Sequence, residues 1–216
     1  MDLQLISFPL CPYVQRAIIT LLYKKVPHRV TLVDLANPPE WFQEKSPTGR
    51  VPLLIVDRKT VLFESAVINE YLDEISSPPL SVKDPLRKAL ERGWVEYGSA
   101  LLGTMYGMVY QEDAAALENE IQEFFSDLVR VEGVLSPSGP YFRGADLSLV
   151  DTAWAPIFAR LEATPKLWNH AAWASMPRTR AWAEALLQVP AVKESVAADF
   201  KDQYVAYVKK AGGHLV

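Results

Sequence analysis

Cysteine is nearly absent from this chain, since Cys11 is the only one in 216 residues. A single cysteine cannot form an internal disulfide, so the sequence excludes a disulfide scaffold and agrees with a reducing compartment. Histidine is also scarce, and the three histidines (His28, His170 and His214) lie far apart in the chain. They form no cluster with the spacing of metal ligands, so we expect no bound metal.

Long apolar runs and blocks of like charge are missing as well. No uninterrupted run of about 18 apolar residues is present to span a membrane. The stretch Met1-Asp2-Leu3-Gln4 lacks the basic flank of a signal peptide. The 22 basic and 26 acidic residues give a net charge of −4, and no long basic run marks a nucleic-acid site. We therefore expect a cytoplasmic protein that binds neither membranes nor nucleic acid.

The pattern of apolar residues changes near residue 76. Residues 1–75 alternate short strands and helices in the order β-α-β-α-β-β-α, and the first two strands, joined through a helix, should be parallel. Beyond the proline-rich stretch that follows, the apolar residues recur at helical spacing, with a last helix expected over about 191–209. We predict an α/β domain over residues 1–75, a linker over 76–83 and an all-helical domain over 84–216.

Cys11 lies where the first strand passes into the first helix. Pro12 fits the first helical position, because its missing N–H would be unpaired there in any residue. Helix starts usually carry Ser, Thr, Asp or Asn, so a cysteine here indicates chemistry, although a small buried hydrophobic residue is the alternative. Because the free N–H groups of a helix start favour negative charge, we expect Cys11 to be a nucleophilic thiolate at neutral pH.

Two features of the second half concern packing. Ser148 followed three residues later by Asp151 resembles a capping box, with aspartate in place of the usual glutamate. It predicts that Asp151 stabilises the fold by about 1 kcal/mol and takes no part in chemistry. An earlier helix carries Gly98, Gly103 and Gly107, whose missing side chains leave room for a ligand or for a neighbouring helix.

Several segments stand in order and at workable spacing along the chain: Cys11-Pro12-Tyr13, Pro39-Glu40-Trp41-Phe42, Ser46-Pro47-Thr48-Gly49-Arg50-Val51-Pro52, Glu64-Ser65-Ala66-Val67-Ile68 with Glu70-Tyr71-Leu72, and Ser148-Leu149-Val150-Asp151. Together they resemble the cytosolic glutathione transferase superfamily, and above all its cysteine-type, omega-like branch. Each segment is a weak signal alone, and together they are a strong one that covers nearly the whole chain. The resemblance implies a thioredoxin-like domain followed by an all-helical domain, glutathione as co-substrate and a homodimer.

The resemblance also assigns roles to residues, with Cys11 as the catalytic residue. Lys45 would face the glycine carboxylate of glutathione, and Glu64 its ammonium group. The residues implied to bind glutathione are Lys45, Val51, Pro52, Glu64 and Ser65, with a cis bond before the proline and a helix start at the serine. The residues implied to line the co-substrate pocket are Pro12, Tyr13, Met105 and Tyr106. The alternatives are an ordinary trans proline at Pro52, a plain N-cap at Ser65, an exposed lysine without a ligand at Lys45, and core packing for the aromatic and methionine side chains.

The implied activity is that of a glutathione-dependent thiol transferase or reductase working through a mixed disulfide between Cys11 and glutathione. Val14 stands three residues after Cys11, which excludes a dithiol mechanism. Dehydroascorbate, mixed disulfides and glutathionyl adducts are compatible electrophilic or disulfide co-substrates. Two alternatives stay open: a conventional glutathione-conjugating transferase, and a non-catalytic regulatory protein of the stringent-starvation type. The presence of Cys11, Val51-Pro52 and Glu64-Ser65 together favours the enzyme.

Overall fold

The computed structural model describes all 216 residues, and the first part of the chain forms one mixed sheet. Its strands are β1 (Leu3–Ser7), β2 (Arg29–Leu32), β3 (Leu53–Val56) and β4 (Thr60–Phe63). Their order in the sheet is β2-β1-β3-β4. β1 and β2 are parallel, as predicted, and β3 is antiparallel to both β1 and β4.

Three helices accompany this sheet: α1 (Pro12–Tyr23), α2 (Glu40–Lys45) and α3 (Ser65–Glu74). α1 follows β1 after a short loop, and Pro12 occupies its first turn as expected. The apolar face of α1, with Val14, Ala17 and Leu21, joins a buried cluster of 14 residues formed with the strands, α2 and α3. This packing fixes the start of α1 at the end of the sheet.

The rest of the chain is helical. Its helices are α4 (Pro85–Val109), α5 (Ala114–Leu128), α6 (Leu149–Ala163), α7 (Pro165–Trp168), α8 (Pro177–Gln188), α9 (Pro190–Lys193) and α10 (Phe200–Ala211), with 3₁₀ turns at Val129–Gly133 and Ala171–Ser175. α6 is buried along almost its whole length, as expected for the central helix of a bundle. None of the helices combines the length and the apolar character needed to cross a bilayer.

The single helix predicted over about 191–209 is wrong, because the chain leaves helical geometry between α9 and α10. The Ser195 hydroxyl lies in this break, where it donates to the Val192 carbonyl at 2.6 Å and accepts from the Gln15 amide at 3.1 Å. The break is therefore tied to α1 by a tertiary contact that the local sequence does not reveal.

Two separate clusters of buried apolar residues support our proposed domain division. The 14-residue cluster draws only on residues 3–72, whereas the second, of 41 residues, lies after residue 79 except for Ile19. Between them, the Asp73 carboxylate accepts from the backbone N–H groups of Leu80 at 2.6 Å and Ser81 at 3.0 Å. These bonds hold the second half of the proposed linker against α3.

The predicted capping box at the start of α6 is confirmed. The Ser148 hydroxyl accepts from the Asp151 N–H, and the Asp151 carboxylate accepts from the Ser148 N–H at 2.7 Å. Asp151 is fully buried and also accepts from the Phe142 N–H at 2.9 Å and the Trp182 indole at 2.7 Å. The carboxylate therefore organises much more of the fold than one helix end.

Two glycines of α4 differ in the space around them, and this difference predicts opposite effects of alanine substitution on stability. A Cβ at Gly98 would lie 2.8 Å from the indole nitrogen of Trp154, whereas one at Gly103 would meet open space. Because that nitrogen already donates to the Trp94 carbonyl at 2.8 Å, Gly98→Ala should cost about 1–3 kcal/mol of folding free energy. Gly103→Ala, the matched control, should gain up to about 1 kcal/mol. Urea titrations of both variants check this, and equal effects would contradict the assigned packing.

Candidate active site

Cys11 lies at the N-cap of α1, half-buried, between the end of β1 and the helical part of the chain. Its N–H donates to the Phe8 carbonyl at 3.2 Å, and its own carbonyl accepts from the Gln15 N–H at 3.1 Å. The preceding residue, Leu10, has a left-handed backbone with a φ of 63°, which non-glycine residues rarely adopt. A tight, strained turn therefore sets the position of the sulfur.

The expected thiolate at neutral pH is wrong for the free protein. Burial raises the pKa of the Cys11 thiol above its ordinary value, and this effect exceeds the opposing ones. The backbone N–H groups of Val14 and Tyr13 lower that pKa, as do the charges of Arg160 and Arg16. The helix start thus acts as predicted, but desolvation of the charged form outweighs it. The thiol form predominates at neutral pH, and the thiolate fraction rises as the pH becomes alkaline.

A cavity of about 420 Å³ opens beside the first turn of α1, a size typical of small-molecule sites. Its walls come from α1, the loop before β3, the β4–α3 junction and α4: Tyr13, Thr48, Arg50, Val51, Pro52, Phe63, Glu64, Ser65, Ala66, Val67, Glu96 and Ser99. The predicted residues Tyr13, Val51, Pro52, Glu64 and Ser65 are thus brought together. Cys11 itself is not among the walls, although it stands two residues before Tyr13.

The chain bends sharply at two of these walls. The Val51–Pro52 peptide bond is cis, as the resemblance implies. Glu64 is the N-cap of α3, with a left-handed φ of 68°. Ser65 is the first helical residue, at the helix start that the resemblance implies and not at the N-cap position, and it is buried. The start of α3 therefore offers free N–H groups to an anion in the cavity, while the Glu64 side chain stays exposed.

Four other predicted residues are not among the walls of this cavity. Lys45 is exposed at the end of α2 and is not one of its walls. Met105 is 2% exposed within the core of the helical part, which favours core packing for this side chain, and its assignment to a co-substrate pocket stays a prediction. Tyr106 is exposed, with its hydroxyl donating to that of Tyr110 at 3.4 Å. Pro12 is half-buried beside Cys11.

Sequence reasoning missed the polar walls that come from α4 and from the loop before β3. Glu96 and Ser99 face the cavity from α4, and Thr48 and Arg50 face it from the loop. Arg50 lies inside a segment that the resemblance had already marked, so that segment was the available signal. The Tyr13 hydroxyl donates to the Ser99 carbonyl at 3.3 Å, which joins the first turn of α1 to α4.

Comparison with known proteins identifies the family to which this chain belongs. Residues 10–75 match the family model for the glutathione S-transferase N-terminal domain. A glutathione S-transferase omega-1 from Sus scrofa is 33% identical over 192 residues, which cover 86% of this chain and 77% of that protein. The chain belongs to the glutathione transferase superfamily, in its omega-like branch. It is a glutathione S-transferase, with glutathione as co-substrate.

Other family members extend the match over almost the whole chain. Glutathione S-transferase DHAR2 from Arabidopsis thaliana is 31% identical over 180 residues, which cover 82% of this chain and 79% of that protein. The crystal structure of glutathione transferase Omega 3C from Trametes versicolor matches with a TM-score of 0.83 and 26% identity, covering 97% of this chain and 91% of that one. The predicted fold, a thioredoxin-like domain followed by an all-helical domain, is thereby confirmed.

The remaining features of the site concern charge. The structure contains no group of three or more His, Cys, Asp or Glu side chains placed to hold a metal ion. Behind the cavity wall, Arg16 is fully buried, and its guanidinium donates to the Ala153 carbonyl at 2.9 Å and the Ser99 hydroxyl at 2.8 Å. A second buried arginine, Arg160, donates to the carbonyl of Leu10. Both cations act on Cys11.

Proposed function

We propose that this transferase is a thiol transferase or reductase that works through a mixed disulfide between Cys11 and glutathione, with small electrophilic or disulfide molecules as co-substrates. The observation that carries the proposal is the position of the only cysteine at the start of α1, two residues from a wall of the cavity of about 420 Å³. Relatives named glutathione S-transferase omega-1 and glutathione S-transferase DHAR2 support it. Dehydroascorbate, mixed disulfides and glutathionyl adducts are the co-substrates that we propose to assay.

When the co-substrate is a mixed disulfide with glutathione, the reaction has two exchange steps. In the first, the Cys11 thiolate attacks the glutathione sulfur of the co-substrate, so that a disulfide to glutathione forms and the co-substrate leaves as a thiolate that takes a proton from water. In the second, the thiolate of another glutathione attacks the same glutathione sulfur, releases oxidised glutathione and returns Cys11 as a thiolate. No second cysteine is required, in agreement with the sequence.

The test is a comparison of two assays on the full chain. Reduction of the mixed disulfide of glutathione and 2-mercaptoethanol should proceed readily, consuming one glutathione thiol and releasing one oxidised glutathione per turnover. Conjugation of glutathione to a chloronitroaromatic should be slow, because the site supplies a competing nucleophile in place of a hydroxyl donor. The opposite ranking of the two activities would establish a conventional conjugating transferase and overturn the proposal.

The cavity walls give each end of glutathione a partner. We propose that Glu64 binds the ammonium group, that Ser65 and the start of α3 bind the adjoining carboxylate, and that the Val51 backbone pairs with the cysteinyl unit. Arg50 lines the cavity and Lys45 does not, so we propose Arg50 as the stronger partner of the glycine carboxylate. A guanidinium binds a carboxylate with two parallel hydrogen bonds, which an ammonium group cannot do.

This assignment predicts an order of glutathione affinities. Glu64→Ala and Arg50→Ala should each raise the Kd for glutathione about tenfold or more, since hydrogen bonds to charged groups contribute about 1.5–3 kcal/mol. Lys45→Ala, an equally exposed cation outside the cavity, is the control and should raise it at most about fivefold. Calorimetric titration measures all three. A Lys45→Ala loss as large as that of Glu64→Ala would remove Glu64 from the proposed contact set.

We also propose that the protein is a homodimer through the face formed by β4, α3 and α4. Exposed apolar side chains gather on these elements, with Val67, Leu86 and Leu90 at 53%, 70% and 61% exposure. A cavity of about 620 Å³ lies between α3 and α4, and Val67 is one of its walls. Apolar surfaces of this kind are typical of protein interfaces.

Light scattering should therefore give twice the chain mass of 24.2 kDa at micromolar concentration. Val67→Glu or Leu90→Glu should give the single mass, because a buried unpaired carboxylate opposes association. Leu32→Glu should leave the dimer intact, since Leu32 is 64% exposed but lies on β2 at the opposite edge of the sheet. A wild-type mass of one chain would contradict the proposed assembly.

A further inference from the structure

Arg160 on α6 is a buried cation without a carboxylate partner. The residue is 4% exposed, and none of the ion pairs in the structure includes it. Its guanidinium donates to the Gln15 side-chain oxygen and the Pro156 carbonyl at 2.8 Å each, and to the Leu10 carbonyl at 2.5 Å. A buried charge without a counter-charge is costly to retain, so its position requires an explanation.

The contacts of Arg160 converge on the turn that carries Cys11. The carbonyl of Leu10 is the one directly before Cys11, and Leu10 is the residue with the left-handed backbone. From the other side, the rings of Phe200 and Tyr204 on α10 lie 5.3 and 5.8 Å from the guanidinium carbon. The cation is thus fixed between α10 and the turn, and it cannot turn toward solvent.

Other charged and titratable groups near Cys11 are few. Arg16 is the second cation, and one of its terminal nitrogens has no hydrogen-bond partner. Burial lowers the pKa of Arg16 and that of Arg160 to about 10, so both are protonated at neutral pH. Tyr13 on α1 and Glu96 on α4 also face Arg16, and Tyr204 on α10 faces Arg160. Glu64 at the start of α3 and Arg50 in the loop before β3 act on Tyr13.

We propose that Arg160 is a positioning residue that acts on Cys11, with its buried guanidinium serving as the fixed counter-charge of the Cys11 thiolate. The proposal rests on the proposed function, in which Cys11 bears negative charge when it attacks the co-substrate and again when it leaves. One fixed cation would stabilise both states. The bond to the Leu10 carbonyl holds the same charge at a constant place relative to the sulfur.

A purely structural role for Arg160 would have a different signature. An arginine that only joined α6 to α1 could be replaced at a cost in stability without any change in how Cys11 titrates. The pH dependence of Cys11 reactivity therefore separates the two roles. Because Cys11 is the only cysteine, a thiol-specific reagent reports on it alone.

The experiment measures the alkylation rate of the full chain by iodoacetamide as a function of pH, across the ordinary thiol pKa of about 8.5. We expect Arg160→Gln to raise the midpoint by about one pH unit, since loss of a nearby opposite charge raises an acid's pKa. Arg160→Lys, which keeps the charge, should bring the midpoint most of the way back to the wild-type value. Gln15→Leu, the matched control, removes a bonding partner of Arg160 but leaves every charge in place, so its midpoint should equal that of the wild type.

The outcomes are distinguishable. An unchanged midpoint in folded Arg160→Gln, or equal shifts in Arg160→Gln and Gln15→Leu, would overturn the role of Arg160. If Arg160→Gln does not fold, Arg160→Met is the second neutral variant, because an apolar side chain of similar length is often well tolerated in place of a buried charge. Failure of the proposed function has its own signature: wild-type protein without thiol-transfer activity, whatever the midpoints of the variants.

Discussion

Replacing Asp151 with alanine should lower the free energy of unfolding by at least about 3 kcal/mol, because each buried donor left unsatisfied costs about 1–3 kcal/mol. The carboxylate accepts from the Ser148 N–H and hydroxyl, the Phe142 N–H and the Trp182 indole, and it is completely buried. This exceeds the loss of about 1 kcal/mol that a helix cap alone predicts. For a chain of this length the melting temperature should fall by about 6–12 °C.

A second capping aspartate provides the control for that measurement. Asp113 caps α5 and accepts a single bond, from the Ala116 N–H at 2.8 Å, at an exposed position. Asp113→Ala should therefore cost only about 1 kcal/mol. Thermal melts of both variants test the difference. Equal losses in the two would contradict the assigned network, and a loss of activity in Asp151→Ala without any loss of stability would make Asp151 a site residue.

Replacing Cys11 with serine should abolish thiol transfer. A serine hydroxyl has a pKa far too high for disulfide exchange, although it can still donate a hydrogen bond to the glutathione thiolate. The variant should therefore gain weak conjugating activity toward a chloronitroaromatic. Cys11→Ala should lose both activities but still bind glutathione, because the walls of the cavity lie on other residues.

Ser7 offers the comparison that separates a cysteine mechanism from a serine one. It is the last residue of β1, buried close to the same turn. Ser7→Ala should retain thiol transfer at close to the wild-type rate. Steady-state assays of both variants measure this, and full thiol-transfer activity in Cys11→Ser would show that the sulfur of Cys11 is not the nucleophile.

Much of the fold follows from local patterns. The β-branched residues Val30 and Thr31 mark β2 as a strand, and the helix between β1 and β2 requires the parallel pair that the structure contains. The spacing of Ser148 and Asp151 was enough to predict the capping box. By contrast, the break between α9 and α10 depends on the contact of Ser195 with Gln15, which lies 180 residues away. Such contacts leave no trace in a local pattern.

The candidate site also combines features that the local sequence predicts with features that it does not. The start of α1 at Pro12 follows from sequence, and so does the effect of its N–H groups on Cys11. Burial of the sulfur does not, because it depends on how the turn packs against the folded core, and it reverses the direction of the pKa shift. The two buried arginines did have a sequence signal, since Arg16 and Arg160 stand among apolar residues of α1 and α6.

The most direct test of the mixed-disulfide mechanism is a mass spectrum of the intact protein after incubation with oxidised glutathione. We expect the mass of one glutathione to be added, on Cys11, and to be removed by dithiothreitol. Because burial raises the pKa of the thiol, the adduct should form slowly at neutral pH and faster at alkaline pH. A folded protein that binds glutathione but forms no adduct at any pH would contradict the mechanism.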